Sequence, residues 1–88
     1  MIRIWAKIIK DEKIVKDVIF ENAEQDFNIQ RFALYLMDIC GLLDVEMPVL
    51  LSKHVQHYYL FNMTTFRKDD FLNEVDFDSL ILESAVLS

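Results

Sequence analysis

Residues 2–9 (IRIWAKII) and residues 14–20 (IVKDVIF) decide the fold of this chain. In the first stretch every second residue is apolar, and this set comprises Ile2, Ile4, Ala6 and Ile8. A period of two places such residues on one face of a β-strand. The second stretch is again β-branched and apolar, and the polar residues 11–13 separate the two. We therefore predict an antiparallel hairpin over residues 1–21.

The pattern after the hairpin is that of a helix. Asn22 followed by Gln25 resembles a capping box, in which two polar side chains satisfy backbone donors at a helix start. The apolar residues at helical spacing are Ile29, Phe32, Ala33, Leu36, Cys40 and Leu43. Gly41 suits the left-handed residue just past a helix end. The sequence predicts a helix from about residue 23 to residue 40.

The second half of the chain gives a mixed signal. Pro48 opens a segment, residues 48–54, that fits a short helix or a strand, and periodicity does not decide between them. Alternation then predicts a strand over residues 55–66. Asp69 suits the cap of one helical turn over residues 70–75. A last strand is predicted over residues 79–84.

This element order predicts one α+β domain spanning residues 1–88: a small mixed β-sheet with an N-terminal hairpin, one main helix packed on it and a C-terminal strand. The order resembles that of β-grasp, or ubiquitin-like, folds. The resemblance implies that the last strand pairs parallel with the first and that the helix crosses the sheet. The sequence ends at residues 85–88 (AVLS) without the Gly-Gly of ubiquitin-like modifiers, so conjugation and sulfur transfer are not expected.

Charge and composition restrict the partners. The net charge is −6, which argues against nucleic acid because phosphate binding needs clustered Lys and Arg. Residues 1–20 carry five bases and three acids (+2), and residues 21–88 carry four bases and twelve acids (−8), so self-complementary packing or a basic partner surface is an alternative to ordinary solvated faces. Cys40 is the only cysteine, and no signal peptide or membrane-length apolar run is visible. We expect a cytoplasmic protein.

Few residues offer chemistry. His54 and His57 are three apart, so they share a face on a helix and could bind a metal there, whereas a strand would separate them. Cys40 lies in the apolar helix stripe, which predicts a small buried hydrophobe and not a nucleophile paired with a histidine. The acids of residues 69–78 are interrupted by apolar residues that predict a loop anchored on the core. We expect no catalytic residue, no metal and no cofactor.

The apolar fraction of 53% exceeds what one small core easily buries. We therefore expect a non-catalytic protein-interaction or assembly module, as a homodimer or docked on a protein partner, without nucleic acid or membrane. The expected surface comprises Trp5, Leu34, Tyr35 and Tyr58. The alternative is a small-molecule or metal-binding domain that uses His54, His57 and nearby acids.

Overall fold

A computed structural model describes residues 1–23 and 29–85 of the chain. Its strands and α-helices are β1 (Ile2–Lys10), β2 (Lys13–Asn22), α1 (Phe32–Leu43), α2 (Ser52–Phe61), β3 (Met63–Arg67) and β4 (Ser79–Ser84). Single turns of 3-10 helix precede α1 and follow β3. Gln25 of the predicted capping box lies outside the described residues, whereas Asn22 is the last residue of β2. The helix predicted from about residue 23 is, among the described residues, α-helical only from Phe32, so α1 begins later than predicted.

The described strands form one four-stranded sheet in the order β2-β1-β4-β3. The α+β class, the N-terminal hairpin and the C-terminal strand are confirmed. The parallel pairing implied by the β-grasp resemblance is wrong, because β4 runs antiparallel to β1, with Ile8 opposite Leu80. The backbone N–H of Asp78 donates to the Ile9 carbonyl at 2.8 Å, so β4 begins beside the residues where β1 ends. A strand that starts there can only run back along β1.

Both α1 and α2 cover one face of the sheet, and the core lies between that face and the two helices. The alternating residues predicted for β1 point into this core, since Ile2, Ile4, Ala6 and Ile8 are all buried. The helices contribute Phe32, Tyr35, Leu36, Ile39, Cys40, Leu43, His54 and Tyr58. The other strands contribute Phe20, Thr64, Phe66, Leu80 and Leu82. The hairpin's inward pattern is therefore as the sequence predicts.

Helix α1 ends later than the glycine suggests. Gly41 lies inside the helix, and the left-handed residue is Asp44, with φ 57°. Continuing to Leu43 buries that side chain, which is 1% exposed, and this gain favours the longer helix. Lys16 of β2 donates from Nζ to the Leu43 carbonyl, so a cation from the sheet satisfies a free carbonyl at the helix end.

The strand predicted over residues 55–66 is wrong in its first part, because residues 52–61 are the helix α2. Helical spacing places His54 and Tyr58 on one face, and both are buried, whereas Tyr59, Leu60 and Phe61 are exposed. Asn62 follows in the left-handed conformation, with φ 57°, and separates α2 from β3. This also answers the question over residues 48–54, since the helix begins at Ser52.

The predicted helical turn over residues 70–75 is a 3-10 turn over Lys68–Asp70. Its capping carboxylate is Asp70 and not Asp69, because Asp70 Oδ2 accepts a hydrogen bond from the Arg67 backbone N–H at 2.9 Å. Of the apolar residues predicted to anchor the connection to β4, Phe71 and Phe77 are buried with ring centroids 5.3 Å apart, whereas Leu72 is 85% exposed and is not an anchor. Within the described residues, no helix is long and apolar enough for a bilayer crossing.

Candidate functional site

The structure divides the four residues predicted as an interaction surface. Leu34 is 48% exposed on the outer face of α1, and Trp5 is half-buried on the sheet face opposite the helices. Tyr35 and Tyr58 are 2% and 5% exposed, so that part of the surface prediction is wrong. Tyr35 packs against Phe20 and Tyr58 against Phe32, with ring centroids 5.8 and 5.3 Å apart. The aromatic rings of both tyrosines fill the core.

On the sheet face that carries Trp5, charged side chains form a network of mutual contacts around apolar residues. Trp5 Nε1 donates to Asp17 Oδ2 at 2.9 Å. Lys7 Nζ lies 4.1 Å from the Trp5 ring centroid and 2.8 Å from Glu83 Oε2, so it makes a cation–π contact and an ion pair together. Arg3 pairs with Glu21 at 3.2 Å. These mutual bonds are those of a face directed at water.

Strand β2 forms one edge of the sheet. It pairs with β1 on one side, and its other side carries backbone groups that no neighbouring strand in the described sheet covers. Three of its apolar side chains, Ile14, Val15 and Ile19, are 48%, 57% and 46% exposed. Nine of the strand's ten residues are half-buried or exposed, and no described strand pairs with its outer side. An open apolar edge of this length is a surface on which another strand can pair.

His54 is held at both ring nitrogens. Nδ1 accepts a hydrogen bond from the Leu51 backbone N–H at 3.0 Å, which fixes the proton on Nε2. Nε2 then donates to Asp70 Oδ2 at 3.3 Å. The ring lies against Phe66, with centroids 4.4 Å apart. Since both nitrogens serve the fold, His54 has none left for a metal or for a substrate proton.

Burial and hydrogen bonding set the ionisation of this pair. Burial lowers the pKa of His54 below its ordinary value, and the nearby Lys53 and His57 act in the same direction, while Asp70 opposes them. For Asp70, burial acts to raise the pKa, but the Arg67 N–H, His54 and Lys53 outweigh it, and the pKa falls below its ordinary value. The pair is therefore a neutral imidazole bonded to a carboxylate.

We expect this pair to make stability depend on pH near neutrality. His54 binds a proton less readily in the folded chain than in the unfolded one, whose pKa is the ordinary 6.5. The unfolded state therefore gains protons first, and the free energy of unfolding should decrease as pH falls through about 6.5. Asp70, with its lowered pKa, contributes stability that is present above its ordinary 3.8 and is lost at lower pH. Urea unfolding at pH 7.5 and 5.5 isolates the histidine.

The matched control is His57→Gln, because His57 lies on the same helix but is exposed. This variant should keep the wild-type pH dependence, whereas His54→Gln should flatten it. Equal pH dependence in wild type and His54→Gln would contradict the neutral, buried state of His54.

His54 and His57 do share one helix, as the helical alternative requires, but they form no metal centre. Among residues 1–23 and 29–85, no group of three or more His, Cys, Asp or Glu side chains is arranged to hold a metal ion. The two histidines instead line one pocket of about 360 Å³ between α2 and β3. The other lining residues are Lys53, Phe61, Met63, Thr64, Thr65, Arg67 and Asp70. Sequence reasoning missed this pocket because it placed residues 55–61 in a strand.

Cys40 is buried in α1, as predicted from its position in the apolar stripe. Burial raises the pKa of its thiol to about 11, so the thiolate that a nucleophile requires is scarce near neutral pH. His54 could not serve as its base, because both nitrogens of that ring are already bonded. The arrangement gives a packed thiol and not an activated one.

The fold and these sites define a small α+β domain with an open sheet edge at β2 and a pocket between α2 and β3 at the opposite edge. Comparisons with protein-family models, with curated proteins and with solved structures found no match.

Proposed function

We propose that this chain is a non-catalytic protein-interaction module that forms a homodimer through the outer edge of β2. The observation that carries the proposal is the exposure of this edge strand: Ile14, Val15 and Ile19 are about half-exposed, and no described strand pairs with its outer side. Antiparallel pairing of two β2 strands would satisfy both open backbone edges and extend the sheet across a two-fold axis.

The charges of β2 favour a second copy as the occupant. Its first half, residues 13–17, carries Lys13, Lys16 and Asp17 (net +1), and its second half, residues 18–22, carries Glu21 (−1). In an antiparallel pair, the basic half of one strand lies toward the acidic half of the other. Opposite charges across neighbouring strands contribute favourably, and like charges would oppose the pairing. A second copy of the same strand would therefore present charges complementary to those of this edge.

Side chains beside the edge would enlarge the interface. Helix α1 packs along β2, so the two α1 helices would approach each other on one side of the joined sheet, where Leu34 and Met37 are about half-exposed. On the other side, Ile19 lies opposite Trp5 in the β1–β2 pairing. Two of the four residues expected from the sequence, Trp5 and Leu34, thus flank the proposed interface.

The non-catalytic part of the proposal rests on the state of the two groups best suited to chemistry. His54 is bonded at both nitrogens, and Cys40 is a buried thiol with a raised pKa. The reduced single cysteine and the net charge of −6 support a cytoplasmic setting and a protein partner in preference to nucleic acid.

Sedimentation equilibrium over a hundredfold concentration range tests the dimer. The wild-type chain should shift from monomer toward dimer as its concentration rises. Ile19→Lys should raise the dimer dissociation constant at least tenfold, or about 1.4 kcal/mol, because it places a charge at the β2–β2 interface. Val15→Lys is a second variant at a different point of the edge. Leu72→Lys is the matched control, since Leu72 is 85% exposed on the connection before β4. A wild-type chain that stays monomeric, or a control that dissociates equally, would contradict the proposal.

A further inference from the structure

The pocket between α2 and β3 contains a hydroxyl with no partner. Thr64 is 2% exposed and lines the pocket, and its Oγ1 is buried without a hydrogen-bond partner among the described residues. A buried hydroxyl left unpaired destabilises the folded chain, so native proteins rarely keep one. The cost is recovered if a ligand in the pocket supplies the missing bond.

The charges around this hydroxyl favour an anion. Lys53 and Arg67 both line the pocket, and the one lining acid, Asp70, is already bonded to His54 and to the Arg67 backbone. The formal charge of the lining is therefore +1 in a chain whose net charge is −6. Lys53 also lies in the first turn of α2, where the helix dipole favours negative charge. The lining therefore has the opposite sign to the chain as a whole.

One side of the pocket is apolar. Phe61 and Met63 line it, and they are 67% and 42% exposed. His57 also lines the pocket, with its ring centroid 6.0 Å from that of Phe61. The volume of about 360 Å³ suits a small organic molecule and exceeds the needs of a bare inorganic ion.

We propose that this pocket binds a small organic oxyanion, a carboxylate or phosphate group carried on an aromatic or aliphatic body. Lys53 and Arg67 attract the oxyanion, Thr64 donates its hydroxyl proton to one of its oxygens, and Phe61 and Met63 cover the body. The His54–Asp70 pair positions α2 against the turn after β3 and so holds the pocket open. This site is separate from the β2 edge, and its failure would leave the dimer proposal unaffected.

Binding is tested on the full chain by following backbone amide NMR shifts with three probes: phenyl phosphate, benzoate and the neutral benzyl alcohol. Saturable shifts at Thr64, Thr65 and Lys53 are expected with at least one of the two anions, and the stronger anion identifies the preferred headgroup. Benzyl alcohol should bind at least tenfold more weakly. Equal binding of the alcohol would overturn the proposal, since the pocket would then be an apolar groove.

Two variants make the test independent of the choice of probe. Thr64→Val should weaken anion binding at least tenfold and, by removing an unpaired buried hydroxyl, raise the melting temperature by about 4 °C. Arg67→Gln should also weaken binding at least tenfold, whereas Lys10→Gln, an identical charge change at an exposed residue outside the pocket lining, should not. A lower melting temperature for Thr64→Val would show that the hydroxyl has a partner in the free chain. That outcome, equal losses in Arg67→Gln and Lys10→Gln, or no saturable shift with either anion would overturn the proposal.

Discussion

Asp70→Ala is expected to lower the free energy of unfolding by about 2–3 kcal/mol. The Asp70 carboxylate accepts from the Arg67 backbone N–H at 2.9 Å and from His54 Nε2 at 3.3 Å. Its removal leaves a histidine N–H unpaired on a side chain that is 1% exposed. It also frees the turn after β3 from α2. Urea unfolding at pH 7.5 measures the change.

Asp69→Ala is the matched control for this experiment. Asp69 is the neighbouring acid in the same turn and is exposed, so the variant should stay within about 0.5 kcal/mol of wild type. The two residues exchange roles between the sequence prediction, which placed the cap at Asp69, and the structure, which places it at Asp70. A larger loss from Asp69→Ala than from Asp70→Ala would contradict the structure of this turn.

Phe66→Ala should lower the free energy of unfolding by about 3–5 kcal/mol, the largest effect expected for a single substitution here. Phe66 is completely buried in β3, and its ring contacts His54 at a centroid distance of 4.4 Å. Truncation removes this contact and leaves a cavity between the sheet and α2. Chemical unfolding monitored by circular dichroism gives the value.

Phe61→Ala serves as the comparison, because Phe61 is 67% exposed at the end of α2. Its cost should be below about 1 kcal/mol. In the single strand that the sequence predicts over residues 55–66, Phe61 and Phe66 would lie on opposite faces with no break at Asn62. His57 and Phe61 would then share one face. A loss from Phe61→Ala as large as that from Phe66→Ala would contradict the division of this segment into helix and strand.

The hairpin and the last strand could be predicted because local patterning alone determines them. Strand β1 is buried on one face only, so its alternation is unambiguous, and residues 79–84 were predicted with the bounds that β4 has. Helix α1 was predicted from its apolar stripe, but its end was not. The gain from burying Leu43 is a tertiary effect, and it outweighs the local preference of Gly41 for a helix end.

Residues 52–61 show why the pocket could not be predicted. Val55, His57, Tyr59 and Phe61 alternate as in a strand, yet His54 and Tyr58 also fit one face of a helix. Contacts with the rest of the chain decide between the two patterns. Phe32 packs against Tyr58, and Asp70 accepts a hydrogen bond from His54, and both contacts favour the helix. Asn62, a residue type that tolerates the left-handed conformation, was the local signal for the break. Only a helix that ends at this break brings His54 and His57 to the same pocket.

The direction of β4 relative to β1 could not be predicted for a similar reason. The order of elements does not specify at which end of β1 the connection after β3 ends and β4 begins. Phe71 and Phe77 anchor that connection, and the bond from Asp78 to Ile9 fixes its arrival at the end of β1. These contacts are long-range, so no local pattern announces them.

The central claim, that β2 pairs with β2 of a second copy, is tested most directly by hydrogen exchange at the β2 amides as a function of protein concentration. Alternate residues of an edge strand direct their N–H groups outward, and these exchange readily in a monomer. We predict that the outward amides of β2 become protected as the concentration rises through the dimer dissociation constant, while protection of β3, the opposite edge, stays constant. Outward β2 amides that exchange equally fast at every concentration would contradict the proposal.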